Sequence, residues 1–447
     1  MQKNYILEPA QKIPVEKEVD ICVIGGSCTG VFAAVRAARL GAKVAVIEKQ
    51  NSFGGVAASG FIHIWHSLYD NLQQQKIISG LTEEVLDSLG KLGVLIDKQK
   101  ELRVEDKSTF YFNSEELKIE LDQLVLSHEI LPYLHTQFAG SLVEDGRIKA
   151  VFIQNKNGRS AIKAKVFIDA SGDGDLAVSS GLKYYYHEFM QPPTACCKLI
   201  YNEKEAGLEQ LILRHGEEFG LGRDRGWYAS IPGNQNFYMK ALTHVFHVDC
   251  CDANQLTFAE MEGRRQIRAY MNLARKYYGG EITLAGLCSG IGIRETRQIR
   301  CEYRLTREDV TEGRKFEDAV ANSSYPIDIH NPDGTMEIYG LSGTIKKILL
   351  DGTTETGRWR EAEGSPAYYQ IPYRCMINRK MDNLIVAGRM IDMDSAAFSS
   401  ARVMVNTNQL GEAAGVAAYM AVKDQKPVYD VDIAKLRALL QNGGSII

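Results

Sequence analysis

Between residues 25 and 30 the chain reads Gly-Gly-Ser-Cys-Thr-Gly, and an acid, Glu48, follows eighteen residues after Gly30. Residues of these types in this order suit a pyrophosphate. Gly25 permits a tight turn, the free N–H groups at the N-terminus of the helix that follows Ser27-Cys28 face an anion, and Gly30 lets that helix pack closely on its strand. Glu48, with Lys49 beside it, would accept hydrogen bonds from an adenosine ribose and repel a 2′-phosphate. The middle glycine of the usual G-x-G-x-x-G is Ser27 here, with Gly26 next to it. Serine is small and adds a hydroxyl. Six residues beyond Glu48 stands a glycine pair, Gly54-Gly55, and just after it come His63 and His66 in GFIHIWHSLYD. Histidine titrates near neutral pH, so either ring can take or give a proton.

The elements that must hold these groups follow from hydrophobic patterning. Val19, Ile21, Val23 and Ile24 read as a buried parallel strand, and a helix begins at Thr29 or Gly30 and stops at Gly41. A second buried strand runs from Lys43 to Ile47 and ends at the acid, which completes a βαβ dinucleotide unit. An NAD domain would continue directly into further βα units. Here a helix around Glu115 to His128 leads into alternating strands from Leu131 to Ile168, with hairpin turns at Asp145-Gly146 and Asn157-Gly158, an antiparallel meander. VFIDASGDGDLA then places a buried strand ending in Ala170-Ser171-Gly172-Asp173. Near the C-terminus NLIVAGR ends another at Gly388-Arg389, before a helix from about Met404 to Met420. Between these, Thr257 to Glu260 reads as a capping box opening a long amphipathic helix, with Met261, Ile267, Tyr270, Leu273, Ala274 and Tyr277 as its apolar stripe.

Composition narrows the class. With 447 residues, 45% hydrophobic and 24% charged, the chain has the balance of a compact globular protein of two or three domains, not of a disordered or fibrous one. A net charge of −4 provides no field for a polyphosphate backbone, so nucleic acid is excluded as a partner. Nine cysteines contain no C-x-x-C, so neither a disulfide framework nor a metal or iron–sulfur ligand set is expected. No apolar run suits a signal peptide or a membrane span, and a reducing, cytoplasmic location is the expectation. Glycine, at 40 residues, is in excess while proline, at 11, is scarce, so the glycines serve something other than Pro-Gly loops.

GGSCTG, Glu48, FGG at 53–55, IDASGDGDLA at 168–177, GIRETR at 292–297, YPIDIH at 325–330, IPYRC at 371–375, NLIVAGR at 383–389 and RVMVNTNQLGEAAG at 402–415 occur in this order over almost the whole chain. The series resembles the FAD-dependent oxidoreductases of the two-dinucleotide-binding-domain type, glutathione reductase-like in their FAD domain, and more narrowly the relatives of the heterodisulfide reductase flavin subunit. The resemblance implies an α/β fold: a Rossmann-like FAD-binding domain with an antiparallel meander, built from residues 1–183 and 370–447, around an inserted α+β substrate domain at 184–369. It implies FAD as cofactor. Gly25 to Gly30, Glu48, Lys49, Gly54 and Gly55 would then hold it at one end, and Ala170, Ser171, Gly172 and Asp173 would pass near the adenine and pyrophosphate. Gly388 and Arg389 would meet the pyrophosphate and ribityl, with arginine in place of the more usual aspartate, and a helix starting near Val405 to Asn408 would bring Asn406 and Thr407 to the flavin N1 and O2 edge.

For chemistry the resemblance implies hydride exchange between flavin N5 and a small polar organic substrate, with His63 or His66 as base. Arg294 reads as a substrate clamp or as half of a buried ion pair, and Arg402 as an electrostatic contributor beside the flavin-edge helix. His187, Arg297 and His330 are further candidates. Two other functions stay open on the same motifs: an electron-transfer flavoprotein module serving a protein partner, and a non-catalytic flavin sensor. The electron acceptor, covalent attachment of the flavin and a homo-oligomeric state stay open too.

Overall fold

A computed structural model describes residues 6–98, 109–202, 207–222 and 226–447. Its centre is a sheet of parallel strands, in the order Leu131–Tyr133, Val44–Ile47, Val15–Ile24, Gly158–Asp169, with Leu384–Val386 on the far side of the last. The inner strands are apolar on both faces: Ile21, Cys22, Val23, Ala45 and Val46 are fully buried, as strands covered on both sides must be. Gly158–Asp169 does two jobs. Its first half pairs antiparallel with Arg147–Asn155, and its second half runs parallel to Val15–Ile24 on one side and to Leu384–Val386 on the other. The C-terminal part of the chain is thereby bonded into the sheet begun by the N-terminal part.

The expected meander is therefore three strands, Gln137–Glu144, Arg147–Asn155 and Gly158–Asp169. Leu131–Tyr133 does not belong to it, because it pairs parallel with Val44–Ile47 at the sheet edge. The first helix spans Cys28–Arg39, one to two residues earlier than its pattern suggests, since the Ser27 hydroxyl accepts from the Gly30 amide and acts as N-cap.

A second helix, Met404–Asp424, crosses the first at very short range. A Cβ added to Gly411 or Gly415 would lie 2.1 Å from the carbonyl oxygens of Thr29 and Ala33 respectively, so only glycine allows the contact. Arg36 and Glu412 form an ion pair across the same crossing, at 5% and 1% side-chain exposure, and Ser445 and the Leu81 amide take up the remaining polar atoms. The pair is satisfied on all sides, which burial demands.

Residues 195–291 have an apolar core of their own. It lies between the sheet Trp227–Ser230, Phe237–Ala241, Cys197–Tyr201, Ile282–Leu287 and the long helix Ala253–Tyr277. That helix departs from its sequence reading. Asp252 is the N-cap, accepting from Asn254 and Gln255, while Thr257 sits in the second turn and its hydroxyl returns to the Ala253 carbonyl, so the expected capping box is absent. Starting five residues earlier leaves the stripe's main register intact, but Met261 lies 64% exposed; the buried face includes Ala259, Gly263, Ile267, Tyr270, Leu273 and Ala274. Ile299, Leu305, Val320 and Ile327, although also between residues 184 and 369, pack in the main core with the parallel sheet. Among the described residues no helix is long and apolar enough to cross a membrane.

Candidate functional site

At the C-terminal ends of the parallel strands lies a solvent-open cleft walled by Gly25, Glu48, Lys49, Gln137, Phe138 and Ser171. This is where ligands bind in open α/β sheets. Glu48 is 6% exposed; one carboxylate oxygen accepts the Gly26 amide at 2.7 Å and the other the Gln50 amide at 2.8 Å. Each oxygen keeps a lone pair for a ligand hydroxyl. Gly25 has φ +100°, and a Cβ there would meet the Ala170 carbonyl at 2.3 Å, so the turn is close-packed against the adjacent strand end. The glycine pair serves the same turn. Gly54 donates its amide to the Gly26 carbonyl, bridges to Ser27, and accepts from the buried Cys28 thiol, while a Cβ on Gly55 would meet Ser27. Ser27 spends its hydroxyl on capping and Gly26 its amide on Glu48, which leaves the Cys28 and Thr29 amides in the first turn for an anion.

Farther along, Asp169 accepts the Ser171 amide and hydroxyl and the Ala177 amide, shaping the turn Ala170 to Asp173; burial pushes its carboxyl up to about 6 despite those donors. Gly172 lies against the Arg389 guanidinium, and Arg389 pairs with Asp173 at 2.6 Å while its Nε is buried without a partner. Asp173 also accepts from Thr296, and Arg297 from the same GIRETR segment pairs with Asp175 at 2.6 Å. Gly388 has φ +131°, at the end of Leu384–Val386.

The candidates for chemistry fall in two places. His63 stands apart: fully buried, it has Nε2 3.2 Å from the Ser230 carbonyl, Nδ1 without a partner, and the rings of Tyr111 and Phe112 around it; burial pushes it down to about 4. The structure instead brings His66, Arg294 and Arg402 together around Asp328, an acid the sequence reading did not single out. Tyr325 donates to Asp328 Oδ2 at 3.2 Å, Arg402 reaches the same oxygen at 3.3 Å, and His330 Nε2 lies 3.7 Å from Oδ1. The His66 ring packs on Tyr325 with centroids 4.4 Å apart. Arg294 extends to the Pro192 carbonyl at 2.6 Å and to Thr194, within electrostatic reach of Asp328 and His330. It does not pair with Glu295, which instead holds His187 at 2.5 Å and the Gln191 amide at 2.8 Å. Gln191 closes the network by accepting from Arg402 at 3.2 Å and donating to Ser399 at 2.8 Å.

Burial alone would raise the Asp328 carboxyl, but His330 and the guanidinium groups of Arg402 and Arg294 outweigh it, so Asp328 stays ionised well below the usual carboxylate range. Burial pushes His66 and His330 down to about 4, each against the pull of Asp328. At neutral pH the cluster therefore presents neutral imidazoles, an ionised carboxylate, two guanidinium groups and a phenol, Tyr325, that burial keeps protonated.

Arg402 ends the helix Ser395–Ala401, and Val403 opens Met404–Asp424 with no side-chain cap. The helix starts at Met404, as its pattern predicts and ahead of the start near residues 405–408 that the resemblance implies, and this changes which amides are free. Asn406 and Thr407 already donate to the Val403 carbonyl, so the open N–H groups at that helix end are those of Met404 and Val405. The Asn406 side chain holds Ser323 and the Ser400 carbonyl, with Oδ1 buried and without a partner. A signal for Asp328 and His330 does exist in the sequence: in the strand Ile327–His330 they stand two apart, hence on one face, between buried or half-buried isoleucines. What pairs them with residues 66 and 402 is not local.

The sequence pattern of the family described as FAD dependent oxidoreductase matches residues 20–440. The chain belongs to that family. No curated protein matches it. Solved structures of similar shape include a geranylgeranyl bacteriochlorophyll reductase-like protein from Thermoplasma acidophilum (12% identity, 95% of this chain and 84% of that one, TM-score 0.47). Others are a myxobacterial chondrochloren halogenase (12%, 96% and 79%, 0.42) and p-nitrophenol 4-monooxygenase from Pseudomonas putida DLL-E4 (9%, 96% and 81%, 0.41).

The protein is thus an FAD-dependent oxidoreductase, and its residues fit the cofactor. The lone pairs of the buried Glu48 face the cleft that would take the adenosine, and the Cys28 and Thr29 amides suit the pyrophosphate. The unpartnered Nε of Arg389 is a buried donor awaiting an acceptor.

Proposed function

We propose that the protein exchanges a hydride between the flavin N5 and a small polar organic substrate, with His66 handling the substrate proton. When bound, FAD supplies the two-electron chemistry. The observation that carries the reading is the partly buried cluster around Asp328, assembled immediately before the uncapped start of Met404–Asp424. His66 is neutral and can accept a proton from a substrate hydroxyl or amine; Asp328, ionised beside it, stabilises the imidazolium that forms. Arg294 and Arg402 orient a polar substrate and, by their charge, favour its deprotonated form. The first-turn amides of Met404 and Val405 offer a positive dipole end to the electron-rich edge of the reduced flavin.

In this reading residues 1–183 and 370–447 form a discontinuous FAD unit and residues 184–369 supply the substrate side, contributing Arg294, Tyr325, Asp328 and His330. The separate core of residues 195–291 supports that division, and the bonding of Leu384–Val386 into the N-terminal sheet supports the discontinuity. The kinship with glutathione reductase-like flavoproteins and the heterodisulfide reductase flavin subunit rests on the motif series. Nine free thiols, most of them buried, support a reducing cytoplasmic setting.

An anaerobic screen of polar metabolites, read by bleaching of the flavin absorbance, tests the proposal. A small hydroxylated or amino compound should bleach the holoenzyme rapidly, and His66→Asn should slow the bleaching at least about hundredfold while leaving FAD bound. Reduction by a protein donor alone, with no metabolite effective, would replace this reading by the electron-transfer one.

A further inference from the structure

Away from the cofactor, the strand Ile282–Leu287 forms one end of its four-stranded sheet and pairs only with Cys197–Tyr201 among the described residues. Its sequence, ITLAGL, carries no charge and no proline, two of the devices that blunt an exposed edge, and its only such device is a bulge. The register shows why it is unusual. Lys198 opposes Gly286 and Leu199 opposes Leu284, so Ala285 is an extra residue, a bulge. The bulge shifts the alternation and brings Leu284 and Leu287 to the same face, the one on which Cys197 and Leu199 meet the helix Ala253–Tyr277. The two leucines stay 36% and 40% exposed.

Together with Ile267 and Met271 of the helix they floor a groove of 170 Å³, and Arg264, Arg268 and Arg275 rim it. The spacing of the arginines, four and seven residues, sets them along one helical stripe. Arg264 is held by Glu260 at 2.8 Å, whereas Arg268 and Arg275 have no carboxylate partner among the described residues. An apolar floor, a cationic rim and an open row of backbone N–H and C=O groups thus lie side by side.

We propose that this edge is a docking site for an extended segment of a partner protein that alternates apolar and acidic residues. The segment adds as a fifth strand antiparallel or parallel to Ile282–Leu287, its apolar side chains entering the groove and its carboxylates meeting Arg268 and Arg275. Charge selects this occupant over a second copy of the chain: two-fold pairing of this edge with itself would set one arginine row against the other. The open backbone selects a peptide over a simple amphiphile, which could use the floor and rim but not the edge. Ser289, two residues beyond the strand, donates to the Ser59 carbonyl at 2.9 Å, and Arg294 follows five residues later.

The test uses the FAD-loaded protein and three fluorescein-labelled heptapeptides: alternating Glu and Leu, alternating Lys and Leu, and the Glu-Leu peptide with alternate amides N-methylated. Saturable anisotropy change is expected with the first alone. Arg268→Glu with Arg275→Glu should weaken it by about tenfold or more and admit the Lys-Leu peptide, without changing flavin content. Failure of the Glu-Leu peptide to bind, equal binding of the Glu and Lys peptides, or indifference to the double substitution would overturn the proposal. Full binding of the N-methylated peptide would replace strand addition with capture of an amphipathic anion, and sedimentation of the untreated holoenzyme as a dimer abolished by the double substitution would assign the edge to self-association.

Discussion

Replacing Gly411 by alanine puts a methyl group where the helices Cys28–Arg39 and Met404–Asp424 cross, 2.1 Å from the Thr29 carbonyl oxygen. Ordinary van der Waals contact begins near 3.4 Å, so one helix must move by more than about 1 Å at a point where Arg36 and Glu412 pin the same crossing. Overpacking of this kind costs about 1–3 kcal/mol, of which the better helix propensity of alanine returns at most about 1. Thr29 is in the first turn of the helix whose amides face the cofactor pyrophosphate, so a shift of that helix also displaces those amides and any extra strain in the FAD-bound form shows as lost affinity. Each 1.4 kcal/mol borne there alone weakens FAD about tenfold. Urea unfolding followed by circular dichroism, and FAD titration of the flavin-stripped protein followed by fluorescence quenching, measure the two effects. The control is Gly90→Ala in the helix Leu81–Lys91, where the nearest atom to the new Cβ is 3.6 Å away. That substitution should be neutral or stabilising by up to about 1 kcal/mol. A Gly411→Ala protein with an unchanged urea midpoint and unchanged FAD affinity would refute the reasoning, because it would show that the helices part without cost.

Glu48→Ala should weaken FAD by about tenfold to hundredfold in the same titration, since it removes both the ligand acceptor and the partner of the Gly26 amide; affinity for the riboflavin phosphate half alone should change little. His63 and His330 have folded values of about 4 against about 6.5 when unfolded, so between those pH values the unfolded chain binds protons that the folded one refuses. Stability should accordingly fall as pH drops from 6.5 to 4, by up to about 3 kcal/mol per histidine, and His63→Gln should flatten the urea midpoint's pH profile over that window. A profile already flat in the unsubstituted protein would count against the burial assigned to these rings.

The sequence alone determined the dinucleotide unit, because each of its parts is local: a strand, a turn that needs glycine, a helix and an acid lie within thirty residues and each is recognisable by its own pattern. It also determined both hairpins and the turn at Asp145-Gly146, whereas the second turn falls at Lys156-Asn157, one residue before its reading, with Gly158 already paired to Asn155 in the ladder. The start of the helix Ala253–Tyr277 was less legible, because a threonine such as Thr257 can cap a helix or sit in its first turns, and only neighbouring backbone decides which. The cluster at Asp328 was decided by tertiary structure. His66, Arg294, Asp328 and Arg402 come from four distant segments, and no periodicity links them. His63 and His66 illustrate the limit most sharply. Three residues apart in the sequence, with the same expected role, they diverge because Ile64–Trp65 is a short strand whose flanks leave in different directions, one toward Ser230 and the other toward Tyr325. Residue type sets what a histidine can do, and the packing of chain segments hundreds of residues apart sets which histidine has anything to do it with.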